Sequence, residues 1–259
     1  MAVERTAAVV IGGFPLGESD RVVTFFTRRF GKVRGVAKAA RRMRSKFSGA
    51  LELFTLGELV FFDGGRSELV QVDHFDIERP FGGIRADLGR LGHAAWMAES
   101  VARLTAERDP HPAMFALLSL ALAAVDGGAS PSRVAVVFGA RFVDALGHRL
   151  RTDACVLCGR GGVIAGGRAA VDVDAGGTVC PSCAGAVGGT LSVAAATIDA
   201  LRRVRTARWG DVMALPLGTA ERELRAILEA HVTRLAGQGS RAARFLREVS
   251  RSLPVSEAP

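Results

Sequence analysis

All four cysteines of the 259-residue chain fall in one short stretch, as two pairs with the same internal spacing. The pairs are Cys155-Val-Leu-Cys158 and Cys180-Pro-Ser-Cys183. Two residues between the members of a pair let both sulfurs reach one metal ion, and four thiolates suit the tetrahedral coordination of zinc. The glycine-rich residues between the pairs can loop out. The spacing therefore predicts one Zn²⁺ ion bound by Cys155, Cys158, Cys180 and Cys183.

Disulfides, buried free thiols or a redox-active dithiol are the alternatives for these cysteines. The opening residues Met1-Ala-Val-Glu-Arg lead into an alternating pattern, whereas a secretory signal has a long apolar core. We therefore expect a cytoplasmic protein, in which disulfides would be reduced. Four thiolates leave no coordination position for water or substrate, so the expected role of the metal is structural.

Five segments in the first eighty residues have the pattern of β-strands, with alternating or β-branched and aromatic side chains. They are residues 3–11, 21–28, 32–38, 51–62 and 68–78. Gly12-Gly13 and Asp63-Gly64-Gly65 are interpreted as turns between them. Five short strands without an intervening helix favour a closed barrel over a sheet with exposed edges. We predict a five-stranded OB-fold β-barrel over residues 1–80.

After Pro80 the apolar residues recur at helical spacing. Predicted helices precede the cysteines at residues 88–107, 114–125 and 132–146. Beyond the cysteines, Ser192 is the predicted N-cap of a helix that reaches about residue 205, and Thr219 caps another. A last amphipathic segment covers residues 241–252. The predicted fold is therefore a multi-domain α+β protein, in which an all-α helical domain at residues 81–259 follows the barrel and carries an inserted zinc knuckle at residues 152–186.

The chain carries a formal net charge of +8, and much of it is concentrated in one run. Nine basic residues and no acidic residue occupy positions 28–46: Arg28, Arg29, Lys32, Arg34, Lys38, Arg41, Arg42, Arg44 and Lys46. The run covers a predicted barrel strand and its following loop, where OB-folds commonly bind nucleic acid. Basic and apolar residues alternate from Lys32 to Lys38, so one side of that strand should present positive charge.

Phe30 and Phe47 flank the run and can stack on unpaired bases. A solvated charged surface is the alternative interpretation of such a run. Because the charge is of one sign and lies on the barrel, we predict a nucleic-acid interface on these nine residues.

No feature of the sequence indicates an enzyme. His111, His148 and His231 stand apart from any nucleophile or second ligand, although His148 lies near Cys155. No phosphate-binding glycine loop, paired helical histidines or serine elbow occurs. A closed four-cysteine site without a His-x-Glu partner also argues against a zinc-dependent deaminase or nuclease. No apolar run approaches the roughly 18 residues of a membrane span.

Several of these residues occur together in an order and spacing that resembles a known family. The matching segments are Leu16-Gly17-Glu18-Ser19-Asp20-Arg21, Phe30-Gly31-Lys32-Val33, residues 41–47, Leu146-Gly147-His148 and both cysteine pairs. Together they resemble the bacterial RecO family of DNA repair and recombination mediators, over nearly the whole chain. The resemblance implies an N-terminal OB-fold, a helical domain and a four-cysteine zinc site.

The resemblance also implies a function. Its members bind single- and double-stranded DNA, anneal complementary strands and help to load RecA onto strands coated by single-stranded DNA-binding protein. The implied partners are RecR, in some lineages RecF, and the acidic tail of single-stranded DNA-binding protein, with a location at the nucleoid.

An RNA-binding or transcription-associated zinc adaptor is the competing interpretation, in which the cysteine segment would contact nucleic acid. Between the pairs, Arg160 and Arg168 are offset by Asp172 and Asp174, which argues against a basic platform there.

Overall fold

The computed structural model describes residues 2–65 and 67–252. The described residues form two compact units, one within residues 2–128 and 245–252 and the other of residues 129–244. The predicted domain boundary after residue 80 lies between the last barrel strand and the first helix. The first unit extends past that point, because it includes three helices as well as the barrel.

The first unit begins with a closed five-stranded barrel, which confirms the predicted OB-fold. Its strands are β1 (Ala2–Leu16), β2 (Asp20–Thr27), β3 (Gly31–Ala37), β4 (Leu56–Asp63) and β5 (Leu69–Arg79). They lie in the order β1-β2-β3-β5-β4, and β4 pairs with β1 to close the barrel. The β3–β5 pair is parallel and the others are antiparallel.

Alternation along the strands decides which side chains fill the barrel. On β2 and β3, Val23, Phe25, Val33 and Ala37 point into the core, and the residues between them point outward. Gly35 also lies on the inner side, where an added Cβ would stand 2.6 Å from a methyl carbon of Val72. A larger residue at position 35 would therefore displace the core.

Two strand boundaries differ from the sequence prediction. The strand predicted at residue 51 begins only at Leu56. The N–H of Phe54 and the carbonyl of Thr55 form hydrogen bonds with the backbone of Val10 and do not extend the regular pairing of β4. The side chains of Leu51 and Phe54 are buried, which accounts for the apolar pattern interpreted as a strand. Residues 12–13, predicted as a turn, lie inside β1 beyond a bulge that follows Val10.

Three helices complete the first part of this unit: α1 (Gly82–Arg85), α2 (Leu88–Leu104) and α3 (Pro112–Asp126). The side chain of Asp87 caps α2 by accepting from the backbone N–H of Arg90 at 2.7 Å. A later part of the chain packs against α2. The side chain of Leu246 lies so close to Gly92 that a Cβ added there would be 2.4 Å from it. Leu246 belongs to α9 (Arg241–Ser252), which crosses the division between the units.

The second unit combines helices with a small sheet. Its elements are α4 (Pro131–Ala145), β6 (Ile164–Ala165), β7 (Arg168–Asp172), β8 (Gly177–Val179), α5 (Pro181–Ala184), β9 (Leu191–Ala194), α6 (Ala195–Thr206), α7 (Trp209–Met213) and α8 (Thr219–Leu235). The sheet has the order β6-β7-β8, with β9 on the other side of β7. The sequence pattern predicted the helices on either side of the cysteines but not this sheet.

Two predicted N-caps in this unit are displaced, Ser192 by two residues and Thr219 by one. Ser192 lies in β9, where it pairs with Ala170, and Ala194 occupies the N-cap of α6. Thr219 is the first residue of α8, and Gly218 precedes it as N-cap. No helix in the described part of the chain is long and apolar enough to cross a membrane.

Candidate metal centre and nucleic-acid interface

The four cysteines converge on one point in the second unit. Their sulfur atoms all lie within 4.8 Å of one another, and the sulfurs of Cys158 and Cys180 are 3.8 Å apart. A tetrahedron with metal–sulfur bonds of about 2.3 Å has edges of about 3.8 Å, so the four sulfurs are close enough together to hold one metal ion. The donor set, all sulfur and four in number, fits a closed structural site. In the described residues the group contains no histidine, so His148 is not part of it.

Each cysteine pair sits in a tight turn closed by backbone hydrogen bonds. The N–H of Cys155 donates to the carbonyl of Arg160 at 2.8 Å, and the N–H of Gly159 donates back to the carbonyl of Cys155 at 2.9 Å. Gly159 has φ +74°, a left-handed conformation that favours glycine. In the second pair, Cys180 precedes the short helix α5, and the N–H of Ala184 donates to its carbonyl at 2.9 Å.

The surroundings shift the pKa values of two of the cysteines in opposite directions. A hydrogen bond from the backbone of Cys180, helped by those of Cys158 and Leu157, lowers the pKa of Cys155 to about 6. Hydrogen bonds to the sulfurs of Cys180 and Cys158 raise the pKa of Cys183 to about 12. Thiolates held this close together repel one another, and a bound cation would offset that repulsion. We call residues 152–186 the cysteine module.

The predicted basic run is divided by the fold. Lys32 was expected to present its charge to solvent, but its side chain is only 12% exposed and pairs with Glu107 at 3.5 Å. The ammonium donates to the carbonyls of Ala102 and Thr105 at 2.7 and 2.8 Å. These acceptors end α2, where the helix dipole favours a cation. Lys32 therefore anchors α2 to the barrel and is not available to a ligand.

Arg34 is intermediate between the buried and the exposed parts of the run. Its guanidinium lies 3.1 Å from Glu68 and 3.4 Å from Glu107, and its side chain is about one-third exposed. Both carboxylates would compete with a phosphate for this side chain.

The remaining seven basic residues are exposed, and several of them lie in residues 38–46, which we call the basic loop. The loop is fastened to the β1–β2 hairpin. The N–H of Ala39 donates to Asp20 at 2.8 Å, and Nη1 of Arg41 donates to the carbonyls of Gly17 and Glu18. The Ala39 hydrogen bond is the main cause of the lowered pKa of Asp20, with Lys38 and Arg42 contributing their charge.

Four members of the run form neither a salt bridge nor a side-chain hydrogen bond within residues 2–65 and 67–252: Arg28, Lys38, Arg42 and Arg44. Arg29 donates to the carbonyl of Arg5 at 3.1 Å, and Lys46 pairs with Asp73 at 3.3 Å. The basic side chains most accessible to a ligand therefore lie mainly in the basic loop and not along β3.

The two aromatic residues that flank the run pack against the barrel core and do not stand exposed for base stacking. Phe47 is buried in the barrel core, and Phe30 packs edge-on against Phe61 with ring centroids 5.4 Å apart. Exposed apolar side chains are instead Met43 in the loop and Phe14 and Leu16 on the β1–β2 hairpin. Phe14 was overlooked because its neighbours, Gly12-Gly13 and Pro15, look like a turn in the sequence.

Comparison with known proteins matches both parts of the chain. The family model described as Recombination protein O N terminal matches residues 1–81, and Recombination protein O C terminal matches residues 85–242. The chain is 37% identical over 250 residues to the DNA repair protein RecO of Anaeromyxobacter sp. (strain K), covering 95% of this chain and 96% of that protein. It is 40% identical over 237 residues to the protein of the same name from Geobacter sulfurreducens, covering 89% of this chain and 93% of that protein.

Proposed function

The chain belongs to the RecO family, and from this premise we propose that it acts in DNA repair by binding DNA through the exposed part of its basic run. Relatives of similar length carry the name DNA repair protein RecO. The observation that supports the site most strongly is the basic loop, where Lys38, Arg42 and Arg44 stand exposed without a salt bridge in the described structure. Backbone phosphates are the ligands that such a surface suits.

The proposed activity is the annealing of complementary strands, without bond chemistry or a catalytic residue. Cations that neutralise phosphates lower the repulsion between two strands, while the bases stay free to pair. Because the contacts are to the backbone, binding should depend steeply on salt and little on sequence.

In the cell, we propose that this activity serves to load RecA onto strands coated by single-stranded DNA-binding protein. RecR, and in some lineages RecF, would be the working partners, and the acidic tail of single-stranded DNA-binding protein would bind to the helical part of the chain. The metal proposed for the cysteine module is one structural Zn²⁺ ion, supported by the spacing of the four sulfurs.

A strand-annealing assay tests the proposal. Complementary oligonucleotides, bare or coated with single-stranded DNA-binding protein, would be mixed with the wild type and with a Lys38→Ala, Arg42→Ala, Arg44→Ala variant, named the loop variant. Arg41 is left in place because it fastens the loop. The matched control is Arg160→Ala, Arg203→Ala, Arg208→Ala, which removes the same charge from three exposed positions in the second unit.

We expect the wild type and the control to accelerate annealing, and the loop variant to do so far less. Equal annealing by the loop variant would show that the contacts lie elsewhere. If the wild type bound RNA but did not anneal DNA, the adaptor interpretation would replace the one proposed here.

A further inference from the structure

The outer surface of the barrel carries a row of apolar side chains that ends on an exposed aromatic ring. Phe14 of β1 pairs with Val22 of β2, which pairs with Val36 of β3. Val23 and Phe25, out of phase with Val22, line the core, so the row faces outward. Val22 is 1% exposed and Phe14 is 53% exposed.

The other half of this outer surface is covered. Phe26 packs against Phe115 of α3, with ring centroids 6.5 Å apart, and Lys32 beside it is held by the end of α2. Arg34, the next outward residue of β3, pairs with Glu107. OB-folds commonly bind oligonucleotides on strands β2 and β3 and the adjoining loops. In this barrel the half at Lys32 is occupied by the chain itself, and on the other half the ring of Phe14 is exposed.

Cationic groups lie at the margin of the half that carries Phe14. Lys38 follows Val36 by two residues, about 7 Å along the strand direction, and Arg41 is fixed at the tip of the β1–β2 hairpin. Of the nearby acids, Asp20 is tied to the backbone of Ala39, and Glu18 is exposed at the tip.

An apolar ring beside cations fits a nucleotide, because the base can stack on the ring while its phosphate meets the charge. A purely apolar protein partner would gain nothing from the bordering cations, which it would have to desolvate.

We propose that Phe14 is a stacking platform for an unpaired base of single-stranded DNA, with Leu16 beside it on β1 and the phosphates following Lys38 into the basic loop. The inference rests on the DNA-binding function proposed above and adds a contact to the base. A duplex, whose bases are stacked on each other, would use the cations but not the ring. The ring therefore provides a preference for single strands that the basic loop alone lacks.

Equilibrium binding of Phe14→Ala to three probes tests this role: oligo-dT, an abasic oligonucleotide of equal length, and a duplex. For oligo-dT we expect affinity about 5- to 150-fold weaker than wild type, which is the range for loss of one base–aromatic stack. For the abasic strand and the duplex we expect no change, and the salt dependence should also be unchanged. Phe14→Trp should retain affinity, and the emission of the added indole should be quenched by oligo-dT and not by the abasic strand.

Ile77→Ala is the matched control. Ile77 is an exposed apolar residue on a barrel strand, 47% exposed, and lies six residues along β5 from Gln71, the partner of Val36. Its affinity for all three probes should equal that of wild type. Thermal unfolding of both variants checks that the barrel is intact.

Three results would overturn the inference, and they separate it from the function on which it rests. Equal losses on oligo-dT and the abasic strand would mean that Phe14 only shapes the hairpin. No loss for Phe14→Ala, together with weak binding by the loop variant, would reject the stack and retain the DNA site. Absence of binding by the wild type would reject both.

Discussion

The cysteine module and the basic loop are both short segments that lack a long helix or strand, but their side chains are directed in opposite ways. In the module the side chains converge, so that four sulfurs lie within 4.8 Å of one another. In the loop the backbone is fastened to the β1–β2 hairpin by Ala39 and Arg41, and the side chains of Lys38, Arg42 and Arg44 diverge into solvent.

This difference follows from what each segment would bind. A metal ion is a point with a fixed geometry, so its ligands must meet at one centre and the surrounding backbone must hold them there. A single strand is a long flexible polyanion, and affinity comes from the number of phosphates neutralised and not from one exact arrangement. Changes in the module should therefore act on stability, and changes in the loop should act on salt-dependent binding.

The largest expected effect is that of Cys155→Ser. Removing one of four ligands should release the metal and destabilise the second unit by at least about 3 kcal/mol, a fall in melting temperature of roughly 6–12 °C. Metal analysis and thermal unfolding would measure both. Ser182→Ala, at an exposed position between Cys180 and Cys183, should leave metal content and stability as in wild type. A metal-free Cys155→Ser protein with unchanged stability would contradict the structural role.

The loop variant should show the reverse pattern. If each of the three side chains neutralises one phosphate, affinity for single-stranded DNA should fall about 100-fold at 0.1 M salt, and the slope of log K against log salt should flatten by about 2. Its melting temperature should not change, since none of the three forms a salt bridge in the described structure. Lys32→Met is the informative comparison.

Lys32→Met should lower the free energy of unfolding and leave the affinity for DNA unchanged. It leaves the carbonyls of Ala102 and Thr105 without their charged donor, for a loss of about 1.5–3 kcal/mol in unfolding free energy. Denaturant unfolding and the same salt titration would be used. A flattened salt slope for Lys32→Met would show that Lys32 reaches DNA after all.

A smaller effect is expected from His231 of α8, whose Nε2 lies 2.8 Å from the carbonyl oxygen of His148, shortly before the cysteine module. Burial lowers the pKa of His231 below its usual 6.5. Because the unfolded chain binds the proton first, stability is present above pH 6.5 and is lost as pH falls toward the folded pKa. The melting temperature should therefore decrease below pH 6.5, and less so in His231→Gln. An identical pH profile for the two proteins would mean that His231 does not contribute.

The smallest expected effect is that of Glu107→Gln, which would increase binding. Arg34 loses one competing carboxylate and Lys32 keeps its two carbonyl partners, so only Arg34 gains freedom to meet a phosphate. We expect affinity for single-stranded DNA to rise by less than about tenfold and the salt slope to steepen by no more than about 1. Unchanged or weaker binding would place the DNA away from β3.

The cysteine set and the barrel were predictable because their signals are local. A spacing of two residues between cysteines allows both sulfurs of a pair to reach one metal ion, and the alternation of residues along β2 and β3 indicates which side chains face the core. The division of the basic run was not predictable, because the acceptors of Lys32 lie 70 and 73 residues further along the chain. The sheet of β6 to β9 was not predicted because its strands have only two to five residues and lie among glycines. Such short strands show no recognisable alternation of apolar and polar residues.

The contact of Leu246 with Gly92 has a consequence for the order of events during synthesis. The barrel can close once residue 79 has left the ribosome, but α2 lacks part of its packing until a segment about 150 residues later arrives. At roughly 5–20 residues per second this interval lasts about 8–30 s, during which the whole second unit is made. The nascent chain therefore carries a finished barrel and an incomplete helical layer for much of its translation, a period in which a chaperone would find apolar surface on α2 and none inside the barrel.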